Sequence, residues 1–295
     1  MDYLPASHAF LEADRVDAAK PEEAMAVVVP FGLEATVSYG GGTAAGPAAI
    51  LAASDQLELY DEELACEPNA VFGVATLAEP EIAADQAAAL EQLDQLVEPI
   101  VAAGRFPLIL GGEHALTPGA IRPFLRRDTE LAILQIDAHA DLRDGYLGAH
   151  YSHASAMRRA LDHDGVQVIS VGIRSVSAEE IAYAKANSDR VTIHFAKDQD
   201  RWSVDEIVAP LKGKRIYISF DIDGLDGAVM PATGTPTPGG LQYWQAMNVL
   251  RAASEVGTVV GGDVVELAPI EGLHVCDYTA AAVAYKLMSY ALIAR

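Results

Sequence analysis

Residues 131–143, LAILQIDAHADLR, decide the fold. The stretch from Leu131 to Ile136 is largely apolar and does not alternate, as expected of a strand covered on both faces. Asp137, His139 and Asp141 follow it at alternate positions. If the backbone stays extended there, alternate side chains point to one side and these three converge. Chance or helix capping explains one Asp after a strand, but not three alternating residues that all suit a metal ion.

Runs of the same kind recur on both sides of it: MAVVVPF (25–31), VFGVATL (71–77), FPLILGG (106–112), VQVISVG (166–172), VTIHF (191–195), RIYISFD (215–221) and GTVVGGDVVEL (257–267). Helical patterns lie between many of them; Leu90, Leu93, Val97 and Ile100 make one apolar stripe, which Gly104 is placed to end. About eight β/α alternations predict a mainly parallel sheet. An open sheet with helices on both sides and a closed eight-stranded barrel both fit, and periodicity alone does not separate them. Gly40, Gly41 and Gly42 predict a flexible loop, and no repeat or linker interrupts residues 1–295, so one domain is expected.

The 295 residues are 51% hydrophobic, enough for a substantial core. A net charge of −22, from 42 acidic against 20 basic residues, argues against nucleic acid or an anionic membrane as partner and favours cationic ligands. Cys66 and Cys276 lie far apart, outside any C-x-x-C pattern, so neither a disulfide framework nor a thiolate metal site is expected. The amino-terminal MDYLPASHAFLEADR has no basic, apolar leader, and no segment reaches the roughly 18 apolar residues that a bilayer requires. A cytoplasmic protein is the expectation.

Two further segments carry chemistry. GGEHALT places His114 just past the strand at 106–110, a position where a lone histidine is most often structural. YISFDIDGLD repeats the alternation with Asp221 and Asp223, followed by the Gly- and Pro-rich GLDGAVMPATGTPTPGG. Acids near buried strand ends are costly unless paired or metal-bound. Asp137, Asp141, Asp221 and Asp223 with His114 and His139 supply enough donors for two ions sharing carboxylates roughly 3.5 to 4 Å apart. Oxygen-rich ligation without thiolate favours manganese over zinc. Four carboxylates balance two divalent ions, whose shared water would be held as hydroxide near neutral pH. There is no G-x-S-x-G elbow, no P-loop and no G-x-G-x-x-G, so a serine nucleophile and nucleotide chemistry are disfavoured.

The ordered set GGEH, DAHAD and SFDID, with TGTPTPGG after it, resembles the ureohydrolases, the family of arginase and agmatinase, over most of the chain from about Ser38 onward. The resemblance implies a three-layer αβα sandwich around a parallel eight-stranded sheet, and two Mn²⁺ ions on His114, Asp137, His139, Asp141, Asp221 and Asp223. It also implies a proton carrier at Asp141, a shuttle to solvent at His153 in SHASAMRRA, and a guanidinium partner at Glu266 in DVVELAP. Glu113 and Arg174, in GGEH and VGIRS, look like the bacterial agmatinases. The implied reaction is agmatine to putrescine plus urea in a homo-oligomer, trimer or hexamer. Aminopropylagmatine, guanidinobutyrate and guanidine are alternative substrates, and a non-catalytic, metal-stabilised polyamine binder is the rival from another class. The chain departs from the family pattern at Gly227, Met230 and Ala232, in a loop expected near the site, where a changed pocket and, at Ala232, a different loop path are anticipated.

Overall fold

In the computed structural model, which describes residues 1–11 and 20–293, alternate residues of one strand enter two separate apolar clusters. Ala26 and Val28 join one, Val27, Val29 and Phe31 the other, and all are fully buried. Both faces of the sheet are covered, which is why the strand sequences carry no alternation. The strands are β1 (Ala26–Phe31), β2 (Val74–Thr76), β3 (Phe106–Gly111), β4 (Leu131–Ile136), β5 (Val166–Ile173), β6 (Val191–Phe195), β7 (Arg215–Asp221) and β8 (Thr258–Val265). They form one eight-stranded sheet in the order β2-β1-β3-β8-β7-β4-β5-β6, with every pairing parallel. The sheet is open, with β2 and β6 at its edges, so the barrel is excluded and the layered sandwich stands.

One face carries the helices Gly46–Ser54, Tyr243–Val256 and His274–Ile293 through Ile50, Met247, Leu250 and Leu287. The other carries Gln86–Ala102 through Leu93, Val97 and Ile100, together with shorter helices that contribute Phe124 and Met157. The helix Gln86–Ala102 begins where the Asp85 side chain accepts from the Ala88 N–H at 2.9 Å. It ends where Gly104, at φ +70°, lets Arg105 N–H return to the Ile100 carbonyl. One expected run is shorter than its sequence suggests. Val71 and Phe72 of VFGVATL belong to the helix Pro68–Phe72, and Gly73, at φ +63°, turns the chain so that only Val74–Thr76 pairs as strand.

β3, β8, β7 and β4 are neighbours at the centre of the sheet although they come from distant parts of the sequence. Their carboxyl ends therefore face one place, where the chain leaves β3 for β4 across a gap that β7 and β8 later fill. In open α/β sheets such a crevice is where ligands bind. No helix among the described residues is long and apolar enough to cross a membrane. Residues 12–15 of the amino-terminal stretch lie outside the described residues.

Candidate metal centre

The segment after β4 gathers its side chains, but not by staying extended. β4 stops at Ile136, and Asp141 has φ +52°, a left-handed conformation that costs a non-glycine residue energy. The turn is held from inside: Gln135 Nε2 donates to Asp137 Oδ2 at 2.8 Å and to the His139 carbonyl at 3.1 Å, and His139 N–H donates to Asp137 Oδ1 at 2.6 Å. As a result Asp137 and Asp141 turn towards His114, and His139 turns towards Asp223. His114 Nδ1 lies 3.1 Å from Asp137 Oδ2, 2.9 Å from Asp141 Oδ2 and 3.4 Å from Asp221 Oδ2. His139 Nδ1 lies 3.0 Å from Asp223 Oδ2 and 3.7 Å from Asp137 Oδ1. The result is two groups, His114–Asp137–Asp141 and Asp137–His139–Asp223, that share Asp137.

β7 delivers Asp221 as its last residue, and the Asp223 N–H donates to Asp221 Oδ1 at 2.8 Å. Asp223 Oδ1 accepts from the Ala138 N–H at 3.0 Å, which ties this loop to the one after β4. Gly224 is needed for that approach: a Cβ there would meet the Asp137 nitrogen at 2.8 Å. Arg174, at the end of β5, donates to the carbonyls of Asp223 at 2.7 Å, Leu225 at 3.0 Å and Thr237 at 2.8 Å, so it acts as a brace for this loop. After β8, Glu266 has φ +67°, and its Oε1 accepts from the His114 N–H at 2.7 Å.

The cluster is short of positive charge. Burial opposes a charge on His114, yet Asp137, Asp141 and Asp221 outweigh it and hold the imidazole well above its ordinary value. Burial opposes charge on His139 too, but Asp137 and Asp223 push it up to about 12. Asp137 is held low despite its burial because both imidazoles face it. Burial, then the charge of Asp137, pushes Asp141 up to about 7; burial takes Glu266 to about 8; and burial with Asp223 and Asp137 raises Asp221. Buried carboxylates crowded in this way call for cations.

The donor set fits divalent ions. His114 Nδ1 is buried and makes no hydrogen bond in spite of the three carboxylate oxygens around it. That is the arrangement of donors pointed at a common centre rather than at one another. The donors are carboxylate oxygens and imidazole nitrogens only, which suits manganese-type ions.

The cluster forms the floor of a cleft of about 280 Å³, which also exposes Glu266 and His153. The six candidate ligands, His153 and Glu266 are thus brought together here. Val37, Ser38, Tyr39 and Gly40 line one wall, and Arg143, Tyr146, Ser175 and Val176 are among the others, none of which the sequence assigns to the site. His153 starts a short helical turn, and the Thr36 hydroxyl contacts its Nδ1 at 3.1 Å. Thr36, Gln135, Ser219 and Asp263 were missed because hydroxyls, amides and strand acids carry no signature in a single sequence. Glu113 does not enter the cleft; it is fully buried and accepts from Ala35 and Thr36.

The departures from the family pattern lie elsewhere than expected. Met230 and Ala232 are fully buried in the apolar core, so neither side chain lines the cleft, and Ala232 has no positive φ. Gly234 and Thr235 are the loop residues that line it.

The sheet order and the shared carboxylate–imidazole cluster define an arginase-like α/β protein. The arginase family model matches residues 24–293, and the chain is a ureohydrolase of that family. It is 37% identical over 292 residues to the N(1)-aminopropylagmatine ureohydrolase of Synechocystis sp., covering 95% of this chain and 93% of the relative. It is 35% identical to the agmatinase of Bacillus subtilis, over 84% of this chain and 85% of that protein. The crystal structure of agmatine ureohydrolase of Thermoplasma volcanium superposes with a TM-score of 0.85 at 31% identity, covering 96% of this chain and 94% of that one.

Proposed function

We propose that this chain, as a single ureohydrolase domain, releases urea from a guanidinium-terminated amine. N(1)-aminopropylagmatine is the first substrate reading, because a relative 37% identical over 95% of the chain carries that name. Agmatine, giving putrescine, is the second, favoured by the Bacillus and Thermoplasma relatives. The observation that carries the reading is Asp137, whose carboxylate belongs to both ligand groups on the floor of a cleft that also presents Glu266.

His114, Asp137, His139, Asp141, Asp221 and Asp223 would hold two Mn²⁺ ions. When bound, these supply Lewis acidity that makes water acidic near neutral pH. Glu266 keeps one oxygen on the His114 N–H, which leaves Oε2 to receive the N–H groups of a planar cation. Water adds to the guanidinium carbon, the bond from that carbon to the alkyl nitrogen breaks, and the amine departs with a proton from the water. Asp141, turned to His114 through Oδ2, carries that proton on Oδ1. His153, at the wall of the cleft, exchanges protons with solvent. A cytoplasmic homo-oligomer, trimer or hexamer, completes the proposal.

The test is urea release by Mn²⁺-loaded protein from N(1)-aminopropylagmatine, agmatine, guanidinobutyrate, guanidine and arginine. Turnover of either of the first two, abolished by Asp137→Ala, supports the reading. Stabilisation by polyamines without urea from any compound would overturn it in favour of a binder.

A further inference from the structure

We infer that Thr36 is a positioning residue for proton exchange: it links His153 to Glu113 and fixes the neutral ring with its hydrogen on Nδ1 and its lone pair on Nε2. The inference rests on the reading of His153 as the group that exchanges protons with solvent.

The argument is a count of hydrogens. The Thr36 hydroxyl has one hydrogen and two lone pairs, and it has three neighbours. They are the His153 backbone N–H at 3.0 Å, Glu113 Oε1 at 3.0 Å and His153 Nδ1 at 3.1 Å. The backbone N–H can only donate, so it takes one lone pair. Glu113 Oε2 already receives the N–H groups of Ala35 at 2.9 Å and Thr36 at 2.6 Å, and the Thr36 hydroxyl is a third donor directed at the same carboxyl, an arrangement that fits an acceptor with no hydrogen to give. The Thr36 hydrogen therefore goes to Glu113 Oε1. The remaining lone pair then accepts from His153 Nδ1–H. A neutral imidazole has a single N–H, so Nε2 is left bare on a ring that lines the cleft. Burial opposes a charge on this ring, so the neutral form is the one present near pH 7.

The link joins three loops: Thr36 follows β1, Glu113 follows β3, and His153 lies beyond β4. One hydroxyl thus aligns the ring with the cleft floor. Ser152 Oγ lies farther from Nδ1, at 3.5 Å, and accepts from the Ala154 N–H, so the Thr36 oxygen at 3.1 Å is the stronger partner of Nδ1. Tyr146, edge-on to His153 with ring centroids 5.9 Å apart, packs against it without a polar contact.

Neutron diffraction from deuterated crystals of the full chain reads the tautomer directly. Deuterium on Nδ1 directed at Thr36 is expected, and deuterium on Nε2 alone overturns the inference. In solution, Thr36→Val removes the hydroxyl at nearly constant volume and is expected to lower kcat for urea release by about tenfold to a hundredfold with KM unchanged, a loss within the range of general acid–base contributions. Thr36→Ser is expected to restore kcat. An unchanged kcat in Thr36→Val, or an equal loss in Thr36→Ser, overturns the inference. If no guanidino compound is turned over, the functional reading fails and the neutron map decides the tautomer by itself; it also decides if Thr36→Val does not fold.

Discussion

Ser219 Oγ stands 2.8 Å from His114 Nε2 and donates onward to Asp263 Oδ1 at 2.8 Å. Asp263 is fully buried and also accepts from Thr117 at 2.8 Å and Tyr217 at 2.9 Å, so it is held as an acceptor. Ser219 must then accept the Nε2 hydrogen, which leaves Nδ1, facing three carboxylates, as the nitrogen that gives up its proton when a metal binds. Partners of this kind orient metal-ligating imidazoles. Ser219→Ala is expected to weaken Mn²⁺ binding about tenfold to a hundredfold. It should also destabilise the chain by about 1–3 kcal/mol through the buried N–H left alone. Metal titration and denaturant unfolding check both, and undiminished affinity would show that the ring needs no such support.

The charge imbalance of the cluster sets a pH dependence that can be worked out for the metal-free chain. His139 is raised from 6.5 to about 12, so the stability it contributes is complete below 6.5 and is lost as pH climbs towards 12. Asp141, raised from 3.8 to about 7, and Glu266, raised from 4.5 to about 8, act in the same direction, since the folded chain keeps protons that the unfolded chain has released. His153, lowered from 6.5 to about 4, acts the other way only below 6.5. The melting temperature of the metal-free chain is therefore expected to fall as pH rises from 6.5 to 9. Mn²⁺, which binds deprotonated ligands, should reduce or reverse that fall. Calorimetry with and without chelator measures it, and parallel pH curves would contradict the expectation.

The sheet was legible in the sequence because a strand buried on both faces is largely apolar without alternation, as Leu131–Ile136 and Phe106–Gly111 are. The choice between barrel and open sheet was not legible from periodicity, because both bury such strands alike, and the family resemblance decided it. At the site, Asp137, His139 and Asp141 were found by their spacing, but the reason offered for their convergence was incomplete. The left-handed turn at Asp141 and the bonds from Gln135 bring them together, and neither follows from residue type. Met230 and Ala232 show the opposite failure: nearness to the site in sequence suggested a place in the cleft that burial in the core excludes.

That burial yields a prediction about specificity. Met230→Ala leaves a cavity in the core and is expected to cost about 2–5 kcal/mol, and Ala232→Gly to cost far less. Neither should change the ratio of kcat/KM for aminopropylagmatine over agmatine, since neither side chain reaches the cleft. A shift in that ratio in either variant that still folds would show that the loop transmits core packing to the substrate.

Asp221 offers the cleanest separation of metal binding from folding. Burial and the charges of Asp223 and Asp137 raise its carboxyl well above the ordinary range, so at neutral pH its ionisation works against the metal-free fold. Asp221→Asn keeps the oxygen that accepts from the Asp223 N–H at 2.8 Å while removing the charge. The metal-free variant is therefore expected to melt above the metal-free parent. Divalent ions reverse the ranking, because an amide is a weaker ligand than a carboxylate. The parent should gain about 2.7 kcal/mol when free Mn²⁺ stands a hundredfold above its Kd, and the variant much less. Thermal melts of both proteins, each with and without metal, give the four values required. A metal-free variant less stable than its parent would mean that Asp221 serves the fold itself, and the assignment of the cluster as a site built for cations would lose its main energetic support.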